Sequence, residues 1–158
     1  LNQATPVATL TRILIVDDNP VDVQIIRYAL QEESDWHTET AVAADGQEAI
    51  DYLLTKVACG HVPRPNLIVL DLNLPKRDGV EILQLLQLTP ALADIPVLIL
   101  SCYPEDIIRQ KVLQANVTAK AYMTKPCGIE DFAELGSKVR KCCAATQERR
   151  LNGRTTTA

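Results

Sequence analysis

Three aspartates, a serine and a lysine are the residues of this chain best placed to do chemistry: Asp17-Asp18, Asp71, Ser101 and Lys125. Each stands at the end of, or just after, a short apolar run. Ile13 to Val16 precedes the acidic pair, Leu67 to Leu70 precedes Asp71, Val97 to Leu100 precedes Ser101, and Ala119 to Met123 precedes Lys125. Such runs suit strands buried on both faces, as in a parallel sheet covered by helices. Ligand sites in open α/β sheets lie at the carboxyl ends of strands, so these groups converge on one edge. Neighbouring carboxylates repel one another and shift toward protonation unless a cation joins them. A hard divalent ion with oxygen ligands, usually Mg²⁺, is the natural counter-charge. A carboxylate can also act as a nucleophile and form an acyl phosphate, its transferred oxygens neutralised by the ion, the lysine and the hydroxyl. The plain alternative is that each acid merely caps a helix or ends a strand. That accounts for Asp17 taken alone, but poorly accounts for five groups on one edge.

The elements that must position these residues are legible in order. Arg12 to Val16 is a strand, and Asn19-Pro20 supplies a cap and a first-turn proline for a helix with Val23, Ile26 and Leu30 on its buried stripe. A strand runs from about Thr38 to Ala44. Asp45-Gly46-Gln47-Glu48 resembles a capping box, opening a helix with Ala49, Ile50, Leu53 and Leu54 as apolar positions. Residues 55–65, with Gly60, Pro63 and Pro65, read as a loop before the central strand, which Pro75 ends. Asp78-Gly79 leads into a helix carrying Ile82, Leu83 and Leu86, and Pro104 starts one carrying Ile108, Val112 and Ala115. The last helix places Ile129, Phe132, Gly136, Val139 and Cys143 at helical spacing, with Asn152-Gly153 as a stop signal. Five strands alternating with five helices predict a parallel sheet covered on both faces, joined by right-handed crossovers.

Composition narrows the function classes. A chain of 158 residues, 47% hydrophobic, fills one well-packed domain. The net charge of −4 argues against general nucleic-acid binding, although residues 138–158 carry 6 basic and 1 acidic side chains. That basic segment has no aromatic residue to stack on bases. The five cysteines form no CxxC pair or Cys/His metal cluster, which suits free thiols in a reducing cytoplasm. No signal peptide or membrane-length apolar run is visible, so a soluble, cytoplasmic protein is expected.

The ordered set Asp17-Asp18, Asp71, Ser101 and Lys125-Pro126 resembles the receiver domain of two-component response regulators over about residues 12–145. The wording DLNLPKRDG and the stretch HVPRPNLIVLDLNLP resemble most the stand-alone receivers that partner bacterial phytochromes. The resemblance implies a flavodoxin-like sheet of strand order 2-1-3-4-5, with residues 1–11 as an N-terminal arm and 146–158 as a basic tail partly extending the last helix. It implies Asp71 as phosphoacceptor, with Mg²⁺ held by Asp18 directly, by Asp17 largely through water, and by Asp71 and the Asn73 backbone carbonyl. Lys125 would pair with the phosphoryl group, its peptide to Pro126 being cis. Ser101 would be the switch hydroxyl and Tyr122 the switch aromatic. By the same resemblance, Asn73 and Tyr103 would occupy the positions that tune acyl-phosphate lifetime. Ser101 stands where threonine is frequent, and the chain from Ser101 to Lys125 is about two residues longer than usual. Asn116 replaces a helix-ending glycine, and Gly128 replaces an acidic cap.

The implied function is a phosphorylation-controlled switch rather than an enzyme, assisting its own phosphorylation and dephosphorylation. A sensor histidine kinase, a phytochrome among the candidates, would supply the phosphoryl group. The face of the fourth helix, fifth strand and fifth helix would carry the signal to a partner protein or a homodimer, with no output domain of its own. A phosphorelay intermediate serving a phosphotransfer protein, or a phosphorylation-independent docking module, is the alternative. A haloacid-dehalogenase-like phosphatase is disfavoured, because its acid/base aspartate would fall at Asn73. Cys102 and Cys127 flank Ser101 and Lys125; redox control is conceivable, but two small buried side chains is the plainer expectation.

Overall fold

The computed structural model describes residues 9–32 and 35–153, with the backbone alone for 145–153. Residues 1–8 of the expected arm and 154–158 of the expected tail lie outside the described residues.

Five strands, β1 (Thr11–Val16), β2 (Thr38–Ala43), β3 (Leu67–Leu70), β4 (Val97–Ser101) and β5 (Ala121–Thr124), form one parallel sheet in the order β2-β1-β3-β4-β5. This is the flavodoxin-like order. The helices are α1 (Pro20–Gln31), α2 (Gly46–Asp51), α3 (Gly79–Leu88), α4 (Glu105–Gln114) and α5 (Ile129–Gly153).

The pleat divides the core in two, because successive strand residues point to opposite faces. Ile13, Ile15, Leu67, Val69, Leu98 and Leu100 pack with Val23, Ile26 and Leu30 of α1 and Leu135, Val139 and Cys143 of α5. Leu14, Val16, Ile68, Leu70, Val97 and Ile99 pack with Leu53, with Ile82, Leu83 and Leu86 of α3, and with Ile108 and Val112 of α4. The three central strands are therefore buried on both sides, as their unbroken apolar runs demand.

The local start and stop signals act through specific bonds. Asn19 Oδ1 accepts from the Val21 amide at 2.9 Å, and Asp45 Oδ1 accepts from the Glu48 amide at 2.8 Å. Asp78 and Glu81 form a reciprocal capping box at the start of α3. Asn116 adopts φ 55°, so it closes α4 in the left-handed geometry usually given to glycine. At α5, Asp131 compensates for Gly128: its Oδ2 accepts from the Cys127 and Gly128 amides at 2.9 and 3.2 Å.

Several sequence expectations are corrected. Residues 55–57 are not loop: α2 continues as a π-helical turn over Tyr52–Val57, with the Ala58 amide donating to the Leu53 carbonyl at 2.8 Å. Ala49, Leu53 and Val57 form an i, i+4, i+8 stripe whose burial outweighs the breakers that follow, while Leu54 turns outward. The fifth strand is shifted to Ala121–Thr124, because its ladder runs from Leu98–Ala121 to Ser101–Thr124. Ile129, expected on the buried stripe, is exposed because it occupies the first position of α5, outside both core clusters. Cys102 and Cys127 are exposed, not buried. Among the described residues no helix is long and apolar enough to cross a membrane.

Candidate functional site

The ends of β1 and β3 are built alike. The Asp17 amide donates to the Ala43 carbonyl at 3.1 Å, and the Asp71 amide to the Val16 carbonyl at 2.9 Å, so both acids sit one step past the ladder. Each then folds back on its own chain: Asp17 Oδ1 accepts from the Asn19 amide at 2.9 Å, and Asp71 Oδ1 from the Asn73 amide at 3.0 Å. Their second oxygens point at one cation. Lys125 Nζ lies 2.8 Å from Asp17 Oδ2 and 2.8 Å from Asp71 Oδ2. A third carboxylate, Asp22 of α1, lies 2.7 Å away through Oδ2. An ammonium has three donors, and all three are engaged.

Burial sharpens these interactions. Asp17 and Asp71 are buried, whereas Asp18 is exposed. Burial raises the Asp17 pKa above the ordinary carboxylate value; the hydrogen bonds from Lys125 and the Asn19 amide oppose the rise without cancelling it. Burial also works against the Lys125 ammonium, but the hydrogen bonds with Asp17, Asp22 and Asp71 prevail and hold its pKa above that of an ordinary lysine.

Carboxylate oxygens of Asp17, Asp18 and Asp71 lie within 4.8 Å of one another. The donors are hard oxygens; three carboxylates share one ammonium, and Asp18 adds a fourth beside Asp17 and Asp71. Donor type and charge excess both fit a divalent cation.

Ser101 ends β4 and is fully buried; its Oγ accepts from the Tyr103 amide at 3.3 Å, and its carbonyl accepts from the Lys125 amide at 2.7 Å. The Tyr103 ring is exposed, as is Asn73. Tyr122 pairs with Ile99 in the ladder and is half-buried, with the Arg109 guanidinium of α4 stacked 4.3 Å from the ring centroid. The Lys125–Pro126 peptide is trans, against expectation; the energetic preference between isomers is small for X–Pro bonds.

Two glycines hold the loop after β3 in place. A Cβ on Gly79 would lie 2.7 Å from the Asp71 carbonyl oxygen, and one on Gly46 would lie 1.8 Å from that of Arg77. The Gly79 amide donates to the Leu72 carbonyl at 3.0 Å and the Gly46 amide to that of Pro75 at 3.3 Å, so both helix starts are drawn tight onto this loop.

Asp22 is the site residue that sequence reasoning missed. It sits in the first turn of α1, where an acid is already accounted for by the helix dipole. The available signal is its place in the first turn of the helix that directly follows β1, which starts over the same sheet edge.

The response regulator receiver domain model matches residues 13–136. The chain belongs to the response regulator receiver family. It is therefore a receiver-domain signalling protein rather than a member of a classical enzyme family. It is 35% identical over 125 residues to response regulator Rcp1 of Synechocystis sp., covering 78% of this chain and 82% of that protein. Among solved structures it is similar to the phosphorylated cyanobacterial phytochrome response regulator RcpA (32% identity, TM-score 0.72, covering 87% of this chain and 96% of that one). It is also similar to the Mn²⁺-bound form of Rcp1 (32%, TM-score 0.66, covering 80% and 90%). The similar solved structures thus include phytochrome response regulators, the group that the loop wording resembles. Other relatives are longer: against the regulator PhoP of Bacillus subtilis the chain is 36% identical over 115 residues but spans 42% of that protein.

Proposed function

We propose that this receiver accepts a phosphoryl group on Asp71 from the phosphohistidine of a sensor histidine kinase, and that a phytochrome is the kinase. The observation that carries the reading is the position of the Asp71 carboxylate: buried, at the end of the central strand, beside Asp17 and Asp18, and 2.8 Å from Lys125. The phosphorylated form of RcpA and the Mn²⁺-bound form of Rcp1 support it by analogy.

In the transfer, an Asp71 carboxylate oxygen attacks phosphorus as the P–N bond breaks. The bond pair stays on the imidazole nitrogen, which takes up a proton. Mg²⁺ held by Asp17, Asp18, Asp71 and the Asn73 carbonyl would neutralise charge on the transferred oxygens. Lys125 supplies a second positive charge from a fixed position. Asp71 loses its own charge on acylation, and Lys125 then turns one donor to the phosphoryl oxygens. Ser101, whose carbonyl is bonded to the Lys125 amide, supplies a hydroxyl.

Movement of Ser101 and Tyr122 shifts the face of α4, β5 and α5 between two packings, a population shift driven by local charge. That face engages a downstream protein or a second copy of the chain, and Asn73 and Tyr103 at the site mouth tune the acyl-phosphate lifetime. The need for Mg²⁺ and for a kinase donor makes the cytoplasm the compartment of this activity.

Intact-mass measurement of wild type and Asp71→Asn after incubation with acetyl phosphate and Mg²⁺ tests the assignment. One added phosphoryl mass on wild type alone, lost on chelation, is expected. No added mass on wild type, even with a cognate kinase, overturns it.

A further inference from the structure

Asp22 is the one carboxylate on Lys125 that the proposed chemistry leaves unused. It is absent from the Asp17, Asp18 and Asp71 group whose oxygens lie within 4.8 Å of one another. Nor does it end a strand: it projects from the first turn of α1 and meets Lys125 Nζ at 2.7 Å across a separation of 103 residues. The other two partners of the ammonium both change during phosphorylation. Asp17 would help to hold the metal, and Asp71 would lose its charge on acylation. Lys125 itself is long, with rotamer freedom that must be suppressed for it to meet a phosphoryl oxygen.

We infer that Asp22 is a positioning residue: its unchanging carboxylate anchors the Lys125 ammonium at the site edge while Asp17 and Asp71 exchange partners. The inference rests on Asp71 being the phosphoacceptor. Asp22 is suited to the task because α1 fixes its backbone, through the Asn19 cap and Pro20, while the Ser101 carbonyl at the end of β4 holds the Lys125 amide. The contact ties the first turn of α1 to the chain just past β5. A bystander carboxylate would do the opposite, repelling an incoming phosphate, and its removal would speed transfer.

The test is a double-mutant cycle on phosphate uptake from acetyl phosphate with Mg²⁺, followed by intact mass, using wild type, Asp22→Ala, Lys125→Ala and the double variant. Asp22→Ala is expected to slow uptake about tenfold, the scale of one lost charge-assisted hydrogen bond. The loss should be largely recovered in Asp22→Glu and should vanish in the Lys125→Ala background. Wild-type uptake with an unchanged or faster Asp22→Ala rate would overturn the inference while leaving Asp71 in its role. So would an equal loss with and without Lys125, which marks a merely structural effect. Absence of uptake by wild type with acetyl phosphate and with kinase alike would remove the phosphoacceptor assignment, and this inference with it.

Discussion

Lys125 Nζ is held between Asp17 and Asp71 at the same 2.8 Å from each, so the cation bridges the ends of two neighbouring strands. The oxygens it occupies belong to the carboxylates a metal would use. Lys125 and a divalent cation therefore compete for one concentration of negative charge. Replacing Lys125 with Met should tighten Mg²⁺ binding by about tenfold, roughly 1.4 kcal/mol, as read by calorimetric titration. Without metal the same variant should melt below wild type, because three carboxylates lose their counter-charge. Unchanged affinity would show that the metal leaves the lysine's partners undisturbed.

Asp17 gives a pH signature. Its pKa is raised by burial above that of the unfolded chain. The native state therefore binds the more protons in the window just above the ordinary carboxylate value, and stability falls as pH rises through it. Asp17→Asn removes the buried charge. The variant should melt above metal-free wild type at neutral pH, with the gap closing as pH drops through the carboxylate range. Added Mg²⁺ should raise the wild-type melting temperature more than the variant's. A gap independent of pH would assign the effect to packing rather than charge.

The strand ends were readable in the sequence because, in an alternating α/β chain, an apolar run that stops at an acid marks where a buried strand reaches the sheet edge. The burial of Val23, Ile26, Ile82 and Val112 followed from helical periodicity, whereas the sheet order came only from the family resemblance. Asp22 was not readable as a site residue, because a first-turn acid satisfies the helix dipole without any tertiary partner. The end of the π turn, residues 55–57, was hidden by Gly60, Pro63 and Pro65, whose local signals are stronger than that of Val57, the one buried residue it adds. The Arg109–Tyr122 stack joins α4 to β5, and no local pattern in either element announces it.

That stack restrains the proposed switch residue. Arg109 also pairs with Glu105 at 3.5 Å, and Lys138 of α5 bonds both Glu105 and the Tyr122 carbonyl. Tyr122 is thus held by α4 at its ring and by α5 at its backbone. Arg109→Ala should lower stability by about 0.5–1 kcal/mol, the range of an exposed cation–π contact, measured by urea unfolding. The loss should persist in Tyr122→Phe and disappear in Tyr122→Leu, whose side chain has no π face. An equal loss in Tyr122→Leu would attribute it to the Glu105 pair.

The thiols should divide into two classes. Cys59, Cys102 and Cys127 are exposed, whereas Cys142 and Cys143 are buried. Burial raises the Cys142 pKa and, with Cys142 beside it, pushes that of Cys143 up to about 12. The reactive species is the thiolate. A disulfide reagent at mildly alkaline pH should therefore consume the three exposed thiols in the native protein and all five after unfolding. Rapid native reaction of all five would mean that α5 separates readily from the sheet.

Gly46 is the position where a single added carbon should do most harm to the site from a distance. Its Cβ would meet the Arg77 carbonyl oxygen at 1.8 Å and the carbonyl carbon at 2.6 Å, both backbone atoms that no rotamer change can move aside. Either α2 or the Pro75–Arg77 turn must shift, and that turn also carries Lys76 at φ 68°, a left-handed backbone with little freedom to give. The turn follows Asp71 and Asn73 directly, so the displacement reaches the proposed metal ligands. Gly46→Ala should cost about 1–3 kcal/mol in urea unfolding and weaken Mg²⁺ binding as well. Gly128→Ala is the control, since a Cβ there meets nothing within 4 Å, and should cost less than about 1 kcal/mol, the scale of an N-cap change. Equal costs at the two positions would show that the close approach of α2 to the turn is not what holds the loop.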